Sequence, residues 1–369
     1  MHSKIQAFTL LQLFLFLSAI LTGCSGLSEK KDEQEVFYPP LPNPPRIQHL
    51  ASFSGPNDLI SEDSNFSRFI LGEETSDSAL IKKPYGVAID DGILYAVDLR
   101  APGYTLFDLK NKKFDIIYGS FADKMKKPIN ITIDQDGNKY ITDTIRSLIL
   151  VYDKENKFVK IIGDGKTFKP SDVLIVDNKL FITDIKNHRI LVLDKTSNEQ
   201  LYTIGSVGSK EGELFYPTNL ALGPDNHLYI SETTNFRIQK FTLDGKFVKS
   251  FGKVGSGLGQ FSRPKGIAID RKGRMHVVDA AFENVQIIDS EGKLLMFYGE
   301  PGPHRANINL PADVVIDYDN IDYFRKYAKP GFQIEYIILV SSQFGNSKVN
   351  VFGFGKMAGM NYSDSQITE

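Results

Sequence analysis

The residues best equipped for chemistry are carboxylates and carboxamides that return at fixed places. Asp98, Asp143, Asp184, Glu232 and Asp279 each follow a proline by about 15 residues. A second set, Asn130, Asp172, Asn219 and Asp313, stands two residues after a proline. Asp and Asn oxygens suit a hard cation such as calcium. Brought around one axis, the second set would make an oxygen ring able to hold that ion, or simply the lining of a water-filled channel. The first set points away from catalysis, because a reaction needs one special site rather than five similar ones, and an Asp at a strand end ordinarily accepts turn amides. Zinc would need three converging ligands. His188, His227 and His276 fall 18, 10 and 12 places after their prolines, so they should lie at different heights and not converge. There is no Gly-x-Ser-x-Gly elbow, phosphate loop or paired-histidine helix. The glycine-rich residues 252–259 lead into no helix and read as a loop between repeats. No catalytic residue and no resident metal is expected beyond the calcium alternative.

These side chains are positioned by a repeat. Pro84, Pro128, Pro170, Pro217, Pro264 and Pro311 are separated by 44, 42, 47, 47 and 47 residues, a period that marks a repeat architecture. In the second unit, residues 128–163, four short strand-like runs are joined by hairpin signals such as Asp136-Gly137, which is the content of one propeller blade. Three and five places after each proline stand large aliphatics, from Val87 and Ile89 to Val314 and Ile316, on one face of a strand. The place between them and the proline reads Gly86, Asn130, Asp172, Asn219, Gly266 and Asp313, small or polar throughout. The expectation is an all-β, six-bladed β-propeller over residues 46–355. Its last blade lacks a fourth strand, and residues 46–55, with Phe53 and Gly55 echoing Phe251 and Gly252, should supply it from the N-terminal side and remove an open edge.

The turns after the first carboxylate set read Asn187-His188-Arg189-Ile190, Asn235-Phe236-Arg237-Ile238 and Asn284-Val285. This pattern resembles the NHL repeat, best in the third and fourth units, and the resemblance implies a six-bladed propeller of the NHL/TolB-like type. A relative of that fold is a zinc-dependent lyase that cleaves peptidyl-hydroxyglycine. Exported NHL lipoproteins of similar layout often stand beside multihaem cytochromes, so the resemblance suggests a part in an envelope electron-transfer system.

The N-terminus reads as an address. Residues 1–23 carry Lys4, then a nearly continuous apolar run, the layout of a signal peptide. The run ends in Leu21-Thr22-Gly23-Cys24, similar to the lipobox of bacterial lipoproteins, in which the cysteine is acylated; Cys24 is the only cysteine of the chain. Several acyl chains give a stable anchor. Residues 24–45 should be a charged tether and a stiff proline-rich spacer. Ser25 resembles the signal for sorting to the outer membrane. The 369 residues carry a formal net charge of −2 with no basic field, which excludes a nucleic-acid binder. A lone cysteine excludes an intrachain disulfide and a Cys-x-x-Cys-His haem site.

Residues 318–332 are an insertion able to form a two-turn helix stopped by Pro330-Gly331. Its Tyr323, Phe324 and Tyr327 could bind a partner, or could plug the last blade. Residues 356–369 should be a disordered tail. The combined expectation is a monomeric, membrane-anchored binding or scaffold protein of the cell envelope, acting on a protein partner or small ligand. The competing one is a metal-dependent lyase or hydrolase with its site in the channel.

Overall fold

The computed structural model describes residues 35–59, 80–257 and 259–362; the leader, Cys24 and most of the tether lie outside the described residues. The chain is an all-β, six-bladed propeller of the NHL/TolB-like type. Five sheets have four antiparallel strands each, and the sixth has five. Blade 1 shows the plan: Pro84–Asp90 innermost, then Ile93–Asp98, Gly103–Asp108 and Lys113–Ile117 outermost. The inner strands of the other blades are Pro128–Ile133, Pro170–Val176, Pro217–Leu222, Pro264–Ile269 and Asn309–Asp317.

Each inner strand begins on or beside its proline, where a missing N–H is tolerated. In five of them the pairing register shifts between the proline and the third residue after it, and in the fourth blade between Pro217 and Asn219. Such an irregularity re-aims a side chain. The third residues, Val87, Ile131, Val173, Leu220, Ile267 and Val314, then enter six different apolar clusters, one at each junction between blades. The second residues turn to the axis. The core is therefore six wedges around a channel, not one central mass.

The ring is closed as the repeat predicts. Ile47–Phe53 pairs antiparallel with Val349–Met357 and completes the last blade. The folded body, however, begins before residue 46. Phe37–Tyr38 adds a fifth strand to that sheet, pairing with Gln48 and Ile47. Phe37 packs on Phe332 and Met357, and Arg46 N donates to Tyr38 O at 2.8 Å. The proline-rich segment is thus a loop pinned at both ends rather than a free spacer, because Phe37 gains an apolar seat there. The expected tail is corrected in the same way. Residues 356–357 belong to a strand, and the Tyr362 hydroxyl donates to Pro45 O at 2.8 Å while accepting from Met357 N at 2.7 Å. Residues 363–369 lie outside the described residues.

The insertion forms two separate 3-10 turns, Ile321–Tyr323 and Arg325–Tyr327, instead of one helix. Short pieces are the usual use of that geometry. The break falls at Phe324, whose side chain is wholly buried against Phe53 of the closing strand. Tyr323 lies on Gly92 of blade 1, where a Cβ would come within 2.4 Å of its ring and φ is +73°. Asn320 Oδ1 accepts Gly92 N at 2.7 Å. The insertion therefore braces the seam between the last blade and the first.

The preceding seam buries charge. Asp270 accepts from Arg274 Nε at 2.5 Å and from the Tyr336 hydroxyl at 3.1 Å. Burial alone would raise the Asp270 carboxyl, but His276 and Arg274 outweigh it and hold the group well below the usual range. Among the described residues no helix is long and apolar enough to cross a membrane.

Candidate functional site

The ring around the axis is assembled from the second-position residues. Asn130, Asp172, Asn219 and Asp313 are all at least nine-tenths buried. Asn130 Nδ2 donates to Asp172 Oδ1 at 2.8 Å, which links blades 2 and 3. Asp172 Oδ2 accepts Leu220 N of blade 4 at 2.8 Å. Asp313 Oδ2 accepts Val87 N of blade 1 at 3.1 Å. Each of the two carboxylates thus staples its blade to the next. Two positions are glycine because the blades approach too closely there: a Cβ on Gly86 would lie 2.0 Å from Asn130 Oδ1, and one on Gly266 would lie 2.5 Å from the Asp313 Cα. Asn219 is the exception, since neither its Oδ1 nor its Nδ2 has a partner.

Below the ring a cavity of about 210 Å³ follows the axis, walled by Thr132, Leu174, Ala221, Ala268 and Val315. At its edge burial pushes the Asp172 carboxyl up to about 7, although the Leu220 and Val173 amides and Asn130 pull the other way. Burial, joined by the negative charge of Asp172, pushes Asp313 up to about 8. The two stand three blades apart, on opposite sides of the channel. Such a pair titrates as a unit.

From the sequence these four residues are expected either to form an oxygen ring for a cation or to line a water-filled channel. The oxygens of Asn130, Asp172 and Asp313 are instead used on blade amides and on one another. Among the described residues no group of three or more His, Cys, Asp or Glu side chains converges to hold a metal ion. The histidines lie apart: His188 stacks on Phe215 at 4.5 Å, His227 begins a strand beside the turn residue Asp225 on the opposite face, and His276 is wholly buried. The strand-end carboxylates do take turn amides. Asp143 accepts Lys126 N at 2.6 Å and Arg146 N at 3.0 Å, and Glu232 accepts Phe215 N at 2.7 Å. The Asn and Arg of the NHL-like turn close on the same acid, with Asn235 Nδ2 and Arg237 Nε both 2.7 Å from Glu232.

One residue nearer the proline, two side chains depart from the pattern. That place holds Ile129, Ser171, Thr218 and Ala312 in four blades, but Tyr85 in blade 1 and Lys265 in blade 5. Lys265 is 6% exposed, and its ammonium reaches over blade 6 to within 5.3 Å of the Tyr85 ring. Burial, reinforced by Arg263 and Lys83, lowers Lys265 to about 8. Burial also raises the Tyr85 phenol, assisted by Asp313 and Asp172 beneath it. Together these residues cap the channel on the face where the inner strands begin, here called the upper face. The sequence offered one signal for them, the size of two residues at an otherwise small or aliphatic place.

Around this cap the upper face exposes large apolar side chains. Phe121 is fully exposed at 102%, and Tyr118, Ile145, Tyr216 and Phe344 are each about half exposed or more. They stand among Lys82, Lys126, Arg146 and Lys186. Arg146 holds the Phe121 loop through bonds of 2.9 Å to the carbonyls of Lys124 and Ala122. The lower face is of opposite character. A bowl of about 590 Å³ is lined by Asp90, Asp91, Asp134, Asp317, Asp319 and Asp322, with Tyr323 at its wall. Of the insertion residues expected to meet a partner, Phe324 is core and unavailable, Tyr323 is half-buried, and Tyr327 is 40% exposed.

No protein-family model matches the chain. Its fold is similar to that of virginiamycin B lyase from Staphylococcus aureus, at 18% identity and a TM-score of 0.51, over 73% of this chain and 80% of that one. It is similar to a gluconolactonase from Xanthomonas campestris, at 16% identity and a TM-score of 0.53, over 74% and 86%. It is also similar to an auxiliary nutrient binding protein from Bacteroides thetaiotaomicron, at 13% identity and a TM-score of 0.56, over 74% and 69%. At these identities the likeness is one of fold.

Proposed function

We propose that this propeller works by binding, as an exported protein anchored to a bacterial envelope membrane, with the outer membrane favoured, through lipid on Cys24. Its upper face docks a protein partner whose surface is acidic. The observation that carries this reading is the exposed apolar set around Phe121, set among lysines and arginines on one rim of a rigid ring. Exposed apolar side chains gathered on one face and rimmed by polar ones mark interaction sites, and basic surroundings favour acidic partners. The auxiliary nutrient binding protein supports the reading to the extent that this fold can bind without catalysis being named.

The test is a photo-activated cross-linker placed at Phe121 or Ile145 on the upper face and, as control, at Asp322 on the lower face, in full-length protein in its own membranes. A discrete adduct from the upper positions alone is expected. Equal labelling from both faces, or none, would refute the docking face. Cys24→Ala should release the protein from membranes and abolish incorporation of labelled palmitate.

A lyase or hydrolase acting in the channel is the second reading. It is favoured by the Asp172–Asp313 pair, whose raised pKa values lie near neutrality, a common property of catalytic acids. A saturable rise in melting temperature with calcium or zinc, lost in Asp172→Ala, would turn the assignment toward this enzyme.

A further inference from the structure

Lys265 presents an unresolved balance of charge. An ammonium 6% exposed ordinarily has an acceptor. Its ammonium lies 5.3 Å from the centre of the Tyr85 ring, and among the described residues no carboxylate or carbonyl bonds to the nitrogen. Arg263, exposed at the rim, adds a second cation close enough to act on Lys265. Tyr85, half-buried, offers its hydroxyl, and Asn219, on the blade beside Lys265, keeps both amide atoms buried and unsatisfied. A nearly buried ammonium, an exposed guanidinium, a half-buried phenol and an unsatisfied carboxamide therefore stand at the mouth of the channel. A buried carboxamide left in this state is costly unless something completes it.

We infer that the channel mouth is a receptor for a small oxyanion, a carboxylate or phosphate group, held by the Lys265 ammonium, the Arg263 guanidinium and the Tyr85 hydroxyl. Two features suit this chemistry. The donors come from blades 1 and 5, on either side of blade 6, so an anion there would be gripped from two directions. The acids beneath do not forbid it, because Asp172 and Asp313 hold their protons up to about 7 and 8. Charge-assisted bonds to a buried oxyanion are the strong kind.

The inference rests on the binding reading, since the mouth is at the centre of the upper face. The oxyanion can arrive as a free small molecule or as the acidic side chain of a docked partner. The two sources differ in one experiment: calorimetry on the full chain in detergent with inorganic phosphate, with acetate, and with a peptide rich in Asp and Glu. Saturable binding of either ion identifies a free ligand, and binding of the peptide alone identifies a partner's side chain. Lys265→Met should weaken whichever binds by about 10- to 100-fold, and Lys265→Arg should retain it. Because the Met variant removes an unpaired ammonium, its melting temperature should not fall; if it misfolds, Arg263→Gln and Tyr85→Phe carry the test. No binding by any probe, or undiminished binding by Lys265→Met, overturns the inference. If the Phe121 cross-link persists in that case, only the oxyanion receptor is lost. If the cross-link fails as well, the binding reading falls with it.

Discussion

Asp313→Asn is the sharpest probe of the channel. The variant keeps an oxygen for Val87 N, now 3.1 Å from Asp313 Oδ2, and removes the charge. In the wild type the folded-state pKa is raised, from 3.8 to about 8, so the folded chain holds its proton after the unfolded chain has lost it. The unfolded state then binds fewer protons, and stability falls as pH rises from about 4 to about 8 and levels above that. Between about pH 5 and the pKa near 8 lie three pH units, worth about 4 kcal/mol at 1.36 kcal/mol each. Asp313→Asn should therefore gain on the wild type by about 4 kcal/mol on going from about pH 5 to about pH 9. Groups remote from Asp313 act on both proteins and cancel in the difference; Asp172, whose charge acts on Asp313, does not, so the figure of about 4 kcal/mol belongs to the pair. Urea unfolding of both at intervals across this range measures it. Parallel stability curves would show that burial does not raise this carboxyl, and the account of the ring would fail.

Three further outcomes follow from the packing. Phe53→Ala, in the strand that closes the ring, should cost about 3–5 kcal/mol by leaving a cavity between Phe107 and Phe324; a loss below about 1 kcal/mol in chemical denaturation would show that the clasp is not part of the cooperative unit. Gly92→Ala should destabilise by more than about 1 kcal/mol, because its φ of +73° and the Tyr323 ring both exclude a methyl; Tyr323→Ala in the same background should recover part of the loss, and no recovery would separate the two causes. Arg274→Met strands Asp270 without its closest partner and should cost about 3–5 kcal/mol at neutral pH, easing below the range in which Asp270 normally protonates; a loss independent of pH would point to packing alone.

The blades were legible because each is built from neighbours in the chain. Apolar residues three and five places after a proline, and a turn glycine such as Gly137, specify strand and hairpin over fewer than ten residues. The closing strand could be read for the same reason: Phe53 and Gly55 repeat a pattern seen elsewhere in the chain. The N-terminal strand at Phe37–Tyr38 was not legible. It spans two residues, and its stability comes from Phe332 and Met357, about 300 positions away. The insertion illustrates the same divide. Its aromatic residues were evident, but Phe324 and Tyr327 differ only in what surrounds them.

Local repetition thus determined that there are six sheets, where each begins, and that small or polar side chains line an axis. Ring closure alone decided which of those side chains meet. Asp172 and Asp313 are 141 residues apart in the chain yet face one channel, and their shared burial sets their protons. Lys265 finds Tyr85 rather than an acid for the same reason. Short-range forces shape a strand, but the dielectric around a charge and the partners within its reach belong to the whole ring.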